Sequence, residues 1–280
     1  ALFPTLISSH IEVETAAEAT GLAPYFTVQI PPVMGVMTAL VLAFMLGLGM
    51  AHLHGDTMRR VAVEFRDIVT MTIETVILPL LPIYIFGIFA NMTASGEAFR
   101  VLGVFIKIIG VIFALHVVWL LALYGVAGIV ARRNPLRMIA CMMPAYFTAL
   151  GTQSSAATIP ATLAQTRKIG VSEQIAGFVI PLCATIHLSG SMLKIVACAL
   201  ALMIMQGMAY DLPLFVGFIL MLGITMVAAP GVPGGAVMAA LGILQSMLGF
   251  DETMCGLMIA LYIAQDSFGT ACNVTGDGAI

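Results

Sequence analysis

Charged residues are scarce in this chain. They make up 9% of its 280 residues, while 61% are hydrophobic. A soluble domain normally has roughly 25% charged residues, so this composition excludes one and predicts a single domain that lies in the bilayer. With a net charge of -3 and few basic residues, the chain also lacks the clustered basic surface that a nucleic-acid partner requires.

Cysteines are few, and their number argues against disulfide bonds. All five lie inside apolar runs, and an odd count gives no complete set of pairs. We therefore expect them to pack as small hydrophobic side chains.

Long apolar runs are what the sequence does contain. Five of them, at about residues 32–52, 68–90, 101–130, 175–205 and 254–271, approach or exceed the length of about 20 residues that crosses a bilayer as a helix. Two further apolar regions, at about 138–166 and 214–249, are interrupted at 151–155 and 230–235 by polar, glycine or proline residues. Since no half of these regions spans comfortably, we predict five crossings and two helical hairpins.

The basic residues predict which side of the membrane the hairpins enter. Eight of them lie in three short loops, namely Arg59, Arg60, Arg66, Arg132, Arg133, Arg137, Arg167 and Lys168. The positive-inside rule places all three loops in the cytoplasm, so the first hairpin enters and leaves there. The second hairpin is flanked by Asp211, Asp251 and Glu252, so we expect it to enter from outside.

Hairpin, span, hairpin and span, entered from opposite sides, form an inverted repeat. Secondary transporters use this plan, because non-helical backbone within the bilayer persists only where it is buried or lines a cavity. Ordinary packed helices kinked by proline are the alternative, and they explain one interruption more easily than two in mirrored positions. The sequence therefore favours an all-α polytopic membrane transporter with two re-entrant hairpins.

Two carboxylates lie in the last apolar run. A charge at membrane depth costs about 3 kcal/mol, so Asp266 and Asp277 should have ionic partners. Asp266, Thr270, Asn273 and Asp277 follow one another at helical spacing, which puts them on one face that should border a cavity. Asp277 could instead reach the membrane surface from the end of its helix.

Polar residues also interrupt the run at 175–205. His187, Ser189, Gly190 and Ser191 favour local unwinding, which would expose backbone carbonyls of the kind that bind sodium. His187 alone is more often an ordinary buried histidine than a ligand, and the serines could join neighbouring helices. Lys194 at this depth should meet a carboxylate, a bound anion or the substrate, or be neutral through desolvation.

The hairpin tips are small and polar. Ser154 and Ser155 lie at the first tip, and glycines occupy the second. Backbone N–H groups at the start of each returning half-helix attract a carboxylate. Such tips would also suit a mobile gate.

These motifs together resemble one known family. The segments Thr152–Pro160, Ala184–Gly190, Gly231–Gly234 and Asn273–Asp277 resemble, in order and spacing, those of the dicarboxylate/amino acid:cation symporter family, which includes the glutamate transporters. The resemblance covers the chain from about residue 25. It implies a glutamate-transporter-like fold, a homotrimer and a multi-pass location in the plasma (inner) membrane, with no cofactor apart from sodium as the coupling ion.

The resemblance also implies a division of the chain. Residues 1–97 would form part of a scaffold and trimerisation domain, and residues 98–280 a transport domain that moves like an elevator, with the hairpins as gates. Three helices that usually come first in the family have no counterpart here, so we expect a fragment that also ends within the last helix.

Site roles carried over from the family remain expectations. Asp266 would bind the substrate α-amino group, and Asn273 and Ser155 its α-carboxylate, with Gly231 and Val232 closing the outer gate. The full substrate set would be Ser154, Ser155, Ser191, Gly231, Val232, Asp266, Thr270 and Asn273. Sodium ions would be held by Asn273 and Asp277 and by backbone carbonyls near Cys183, Thr185, His187 and Leu188.

Departures from the family pattern bear on the substrate. Members that carry acidic amino acids have an arginine immediately before Thr270, where this chain has Gly269. A distal carboxylate would be left unpaired there, at a cost of several kcal/mol, so a small neutral amino acid is expected. Ser189 also stands where the family has a sodium-binding carboxylate, and Lys194 could supply a fixed charge instead.

Two rival functions remain open from sequence. A dicarboxylate symporter of the same fold would use Lys194 for the second carboxylate. A polytopic membrane hydrolase would use His187, Ser189 and Asp266, but it leaves the mirrored hairpins unexplained.

Overall fold

In the computed structural model, the described part of the chain consists of residues 33–34, 36–53, 55–94, 98–229, 231 and 233–280, and all of its regular elements are helical. The chain divides into two compact units. One comprises residues 14–95, and the other residues 1–13 and 96–280. Val232, expected at the outer gate, lies outside the described residues.

The unit at 14–95 contains three α-helices in its described part. They are α1 (Val36–His52), α2 (Thr57–Thr72) and α3 (Leu78–Ala94), with a π-helical segment at Ile73–Ile77 between α2 and α3. Pro82 lies inside α3, where it removes a backbone donor and crowds the preceding turn, a common cause of bending. Arg59, Arg60 and Arg66 lie within α2 and not in the loop that the sequence suggested, because the helix begins at Thr57.

The larger unit contains nine helices in its described part. They are α4 (Ala98–Ala131), α5 (Pro135–Thr152), α6 (Ser155–Ile169), α7 (Glu173–Ile186), α8 (Ser189–Met205), α9 (Leu212–Met226), α10 (Gly235–Leu248), α11 (Glu252–Ile263) and α12 (Asp266–Asp277). The two interrupted apolar regions are helix pairs, α5 with α6 and α9 with α10, as predicted. We call them hairpin 1 and hairpin 2.

Local sequence explains where hairpin 1 begins and turns. The Asn134 side chain accepts hydrogen bonds from the first N–H groups of α5, and Pro135 occupies the first helical position. At the tip Gln153 adopts a left-handed conformation with φ +53°, and the Ser154 side chain accepts a hydrogen bond from Ala157 N at the start of α6. These two residues end one helix and begin the next within a single turn.

Length and composition identify fewer spans than the sequence suggested. Within the described residues two stretches are long and apolar enough to cross a membrane, Val101–Ala131 and Glu173–Met205, and α2 with α3 make a third if that bent pair is one span. α1 has 17 residues, and the last apolar run is divided between α11 and α12. The predicted five crossings are therefore not recovered from continuous helices, because breaks shorten several of the apolar runs.

α8 and α12 form the centre of the larger unit. α12 packs against α5, α8, α4, α6 and α7, and α8 also packs against α4, α9, α10 and α11. The apolar window within Glu173–Met205 is 72% buried, against 33% for Val101–Ala131. The polar residues of α8 and α12 therefore lie in the interior of this unit, while much of α4 lies at its surface.

Candidate functional site

The polar face of α12 is buried, as its spacing predicts. Asp266, Thr270, Asn273 and Asp277 are each at most 5% exposed, and all lie within one uninterrupted helix. Three of the four side chains bond to residues of α8 or of the break before it. The interface between α8 and α12 is therefore the core of the candidate site.

Asp266 forms an ion pair with Lys194 across this interface. The Lys194 Nζ donates to Asp266 Oδ1 at 3.1 Å, and both side chains are almost completely inaccessible. The other carboxylate oxygen accepts a hydrogen bond from Gly234 N at 2.7 Å, at the start of α10 in hairpin 2. The expectation that Lys194 meets a carboxylate is confirmed, and Asp266 links α8, α12 and hairpin 2.

Tyr262 and Gly269 fix the position of the Lys194 ammonium. The Nζ lies 3.3 Å from the centroid of the Tyr262 ring and 3.4 Å from the Tyr262 carbonyl oxygen. A Cβ atom at Gly269 would approach the Nζ to 2.9 Å, which is closer than real contacts allow. A side chain at position 269 would therefore require the Lys194 ammonium to shift from this position.

Asn273 caps the N-terminus of α8 from another helix. Its Oδ1 accepts hydrogen bonds from Gly190 N at 2.8 Å and Ser191 N at 3.2 Å. Its Nδ2 donates to Ser191 Oγ at 2.9 Å, and the same oxygen accepts from Tyr262 OH at 3.1 Å. α8 has no side-chain cap of its own, so Asn273 satisfies N–H groups that would otherwise lack partners.

Asp277 meets His187 at the break between α7 and α8. The His187 Nδ1 lies 2.8 Å from Asp277 Oδ1, and the Asp277 side chain is 1% exposed against 18% for His187. The chain is non-helical at His187 and Leu188, where the sequence predicted unwinding. The carboxylate expected to hold sodium is therefore next to the predicted break.

Backbone carbonyls around the break are only partly available. Cys183 O accepts His187 N at 2.8 Å, and Leu188 O accepts Met192 N at 2.8 Å. The exposed Thr185 uses its hydroxyl to bond Leu182 O. A carbonyl oxygen has two lone pairs, so the first two could still contact an ion. Among the described residues, no three His, Cys, Asp or Glu side chains cluster in a way that could hold a metal.

The two hairpin tips touch each other. Ser154 Oγ donates to Gly231 O at 2.8 Å, so the first tip contacts the second directly. Gln153 Nε2 donates to Ser267 Oγ at 2.9 Å and ties the first tip to α12. Ser155 is 5% exposed at the start of α6. The structure thus brings Ser154 and Gly231 together, near α12.

Sequence reasoning missed three aromatic residues at the site. Tyr262 covers Lys194, His116 Nε2 lies 3.0 Å from Gly190 O, and Trp119 donates to Ser189 Oγ at 3.1 Å. Tyr262 lies four residues before Asp266, and His116 and the single tryptophan are three apart in an apolar stretch of α4. That spacing was a usable signal for a polar face on α4.

A family match now gives this arrangement its context. A sequence model of the sodium:dicarboxylate symporter family matches residues 4–280. The chain belongs to the sodium:dicarboxylate symporter family. It is accordingly a membrane transporter and not an enzyme, and the hydrolase alternative is set aside. As a symporter of this family it takes a cation together with a small-molecule substrate.

Proposed function

We propose that this symporter carries a small neutral amino acid, with sodium as the coupling ion. The observation that carries the proposal is the Lys194–Asp266 ion pair beside Gly269. Lys194 and Asp266 neutralise each other, and a zwitterionic amino acid is also neutral overall. An acidic amino acid would add a second carboxylate, which would need a cation of its own.

The substrate groups can be assigned to the polar residues around the pair. The α-amino group would share the Asp266 carboxylate, displacing the Gly234 N–H from Oδ2. The α-carboxylate would lie between Asn273 and the N-terminus of α6 at Ser154 and Ser155, where backbone N–H groups attract anions. Ser191 and Thr270, both buried nearby, would line the remaining space, with Gly231 and Val232 over it.

Sodium would bind at the break between α7 and α8. Asp277 supplies the negative charge, and Asn273 and the carbonyls near Cys183, Thr185, His187 and Leu188 supply neutral oxygens. His187 contacts one oxygen of Asp277, Oδ1, and a sodium ion would bind the other oxygen or replace His187.

At the level of architecture, we propose a glutamate-transporter-like fold in which hairpins 1 and 2 are re-entrant and related as an inverted repeat. Residues 1–97 would belong to a trimerising scaffold, and residues 98–280 would move as an elevator across the plasma (inner) membrane. The contact between the two hairpin tips is compatible with paired gates.

The test is a thermal-shift screen of the full-length protein against all amino acids and common dicarboxylates, with and without sodium. We expect small neutral amino acids to raise the unfolding temperature, and sodium to increase that shift. Stabilisation by glutamate or aspartate in preference to alanine and serine would contradict the proposal.

A dicarboxylate is the second candidate, and one observation favours it. The Lys194 ammonium lies where a side chain at position 269 would begin, so it is near the space in which the arginine of acidic-substrate members would lie. If Lys194 released Asp266, it could pair with a distal carboxylate. Competition between serine or alanine and succinate for binding separates the two candidates.

A further inference from the structure

The Lys194 ammonium is a partner that the protein itself supplies for Asp266. The Nζ is held by the carboxylate at 3.1 Å, by the Tyr262 carbonyl at 3.4 Å and by the face of the Tyr262 ring. The Lys194 side chain is completely buried, and its Nζ lies 2.9 Å from the position of a Cβ atom added at Gly269. In this structure these contacts hold the ammonium beside Asp266.

This arrangement changes what Asp266 requires from a substrate. A lone buried carboxylate needs a cationic partner, and a substrate without an amino group would leave it unpaired at a high cost. Here the partner belongs to the protein. Among the described residues, Gly234 N donates a hydrogen bond to the second oxygen of Asp266, and a hydroxyl group can replace this uncharged donor.

A charged amino group also gains less at this site than at a lone carboxylate. Its attraction to Asp266 is opposed by repulsion from the Lys194 ammonium, which bonds the same carboxylate. A hydroxyl group experiences neither effect strongly. The difference in binding between an amino acid and the matching 2-hydroxy acid should therefore be small.

We propose that Lys194 is a specificity-determining residue that makes the substrate amino group dispensable, so that the site accepts small 2-hydroxy acids as well as neutral amino acids. This inference rests on the proposed function and names a second substrate class for the same site. The essential substrate feature is then the carboxylate, while Asp266 accepts a hydrogen bond from either an ammonium or a hydroxyl group.

Alanine and lactate provide the test, because they differ only in the amino or hydroxyl group. Binding of each to the full-length protein in sodium is measured by competition with a labelled neutral amino acid. In the wild type the two dissociation constants should differ by about tenfold or less, since the α6 N-terminus would hold the carboxylate of either ligand and Asp266 keeps Lys194 as its partner. In Lys194→Met the lactate affinity should fall to about a hundredfold below that of alanine, because Asp266 then depends on the ligand for a cation.

Two further variants control for effects on the fold. Lys107→Met removes an exposed lysine from α4 and should keep the wild-type ratio. The double variant Lys194→Met with Asp266→Asn removes both charges of the pair. If the buried charge is the cause, this double variant should again bind alanine and lactate with similar affinity, even if both bind less tightly.

The outcomes separate this inference from the proposed function. Alanine binding with a wild-type preference of a hundredfold or more over lactate overturns the inference and leaves the proposed function intact. An unchanged ratio in Lys194→Met also overturns it. If succinate binds and alanine does not, the proposed function fails and the inference fails with it.

Discussion

Two pairs of charged or titratable side chains in the larger unit join different parts of the chain. Lys194 of α8 meets Asp266 of α12, and His187 before α8 meets Asp277 at the end of α12. Removing one member of a buried pair typically costs about 3–5 kcal/mol, because the other charge is left without a partner. Substitutions at these positions therefore need controls that separate function from stability.

The Asp277 carboxylate is expected to determine sodium affinity. Asp277→Asn removes the full negative charge that offsets a dehydrated cation, so the apparent sodium affinity should fall by about tenfold or more, or roughly 1.4 kcal/mol. The measurement is substrate binding titrated with sodium.

Asp211→Asn is the matched control for this variant. Asp211 caps α9 at an exposed position, and asparagine caps a helix equally well. Its sodium dependence should match that of the wild type. Unchanged sodium dependence in Asp277→Asn would remove this residue from the cation site.

Gly269 and Lys194 should be changed together to obtain affinity for acidic amino acids. An arginine at position 269 alone would displace the Lys194 ammonium, because a Cβ atom there would lie 2.9 Å from the Nζ, and it would place two cations close together. We expect Gly269→Arg to be destabilised and to bind no glutamate. Lys194→Met with Gly269→Arg should bind aspartate or glutamate, because the guanidinium then has space and can pair with the distal carboxylate.

Isothermal titration of glutamate, aspartate and serine into both variants checks this prediction. Gly177→Ala is a control for glycine replacement inside a helix, since nothing lies within 4 Å of an added Cβ there. A folded double variant that binds serine but neither acidic amino acid would contradict the assignment of position 269.

Among the elements, the hairpins show most clearly how local sequence specifies structure. The tip of hairpin 1 was predictable, because Ser154 is a residue type that caps a helix. In the structure it caps α6, and the left-handed conformation of Gln153 ends α5. The division of α11 from α12 was not predicted, since the sequence around Ala264 and Gln265 contains neither glycine nor proline. Tertiary contacts override helix propensity there.

Ser154 joins the two tips and also caps α6, so its replacement should have two effects. Ser154→Ala loses the cap and the hydrogen bond to Gly231 O. Ser172→Ala loses only a cap, at the start of α7. Both variants should lose about 1 kcal/mol of stability, seen as lower unfolding temperatures.

Substrate dissociation distinguishes the two serines. Only Ser154→Ala should release substrate faster, by roughly two- to tenfold, because a net hydrogen bond contributes about 0.5–1.5 kcal/mol. Stopped-flow displacement of a labelled substrate gives the rates. Equal dissociation rates in the two serine variants would show that the contact between the tips does not hold the substrate.

For the whole molecule, composition predicted a helical membrane protein, and the α12 polar face predicted the centre of the candidate site. The pairing of Lys194 with Asp266 was only partly predictable, because the identity of the carboxylate depends on how α8 crosses α12. That crossing is close because a Cβ atom at Gly190 would lie 2.7 Å from the Cys272 Cβ. Such contacts between distant segments leave no periodic signal in the sequence.

Lys194 should also lower the number of sodium ions coupled to each substrate. A tethered ammonium repels a cation bound nearby, by at most about 4 kcal/mol at 4 Å and an effective dielectric constant of 20, because the paired Asp266 carboxylate offsets part of the repulsion. We expect fewer than three sodium ions per substrate, and a higher ratio in Lys194→Met with Ser189→Asp. Reversal potentials of uptake in liposomes measure the ratio directly.

Ser189→Asp alone is the control for the effect of the new carboxylate. In the wild type, Trp119 donates a hydrogen bond to the Ser189 hydroxyl that this carboxylate replaces. A wild-type ratio of three sodium ions per substrate would contradict this prediction. So would an unchanged ratio in the double variant.

The Asn273 cap on α8 has a consequence for the biosynthesis of the chain. Gly190 and Ser191 are synthesised more than 80 residues before Asn273, whose side-chain amide caps them. Lys194 is synthesised 72 residues before its partner Asp266. A newly inserted α8 therefore enters the bilayer with an unpaired ammonium and uncapped N–H groups, both of which favour water or lipid headgroups. We infer that α8 reaches its final depth only after α12 has been synthesised, so the contacts between these two helices form after translation of α12.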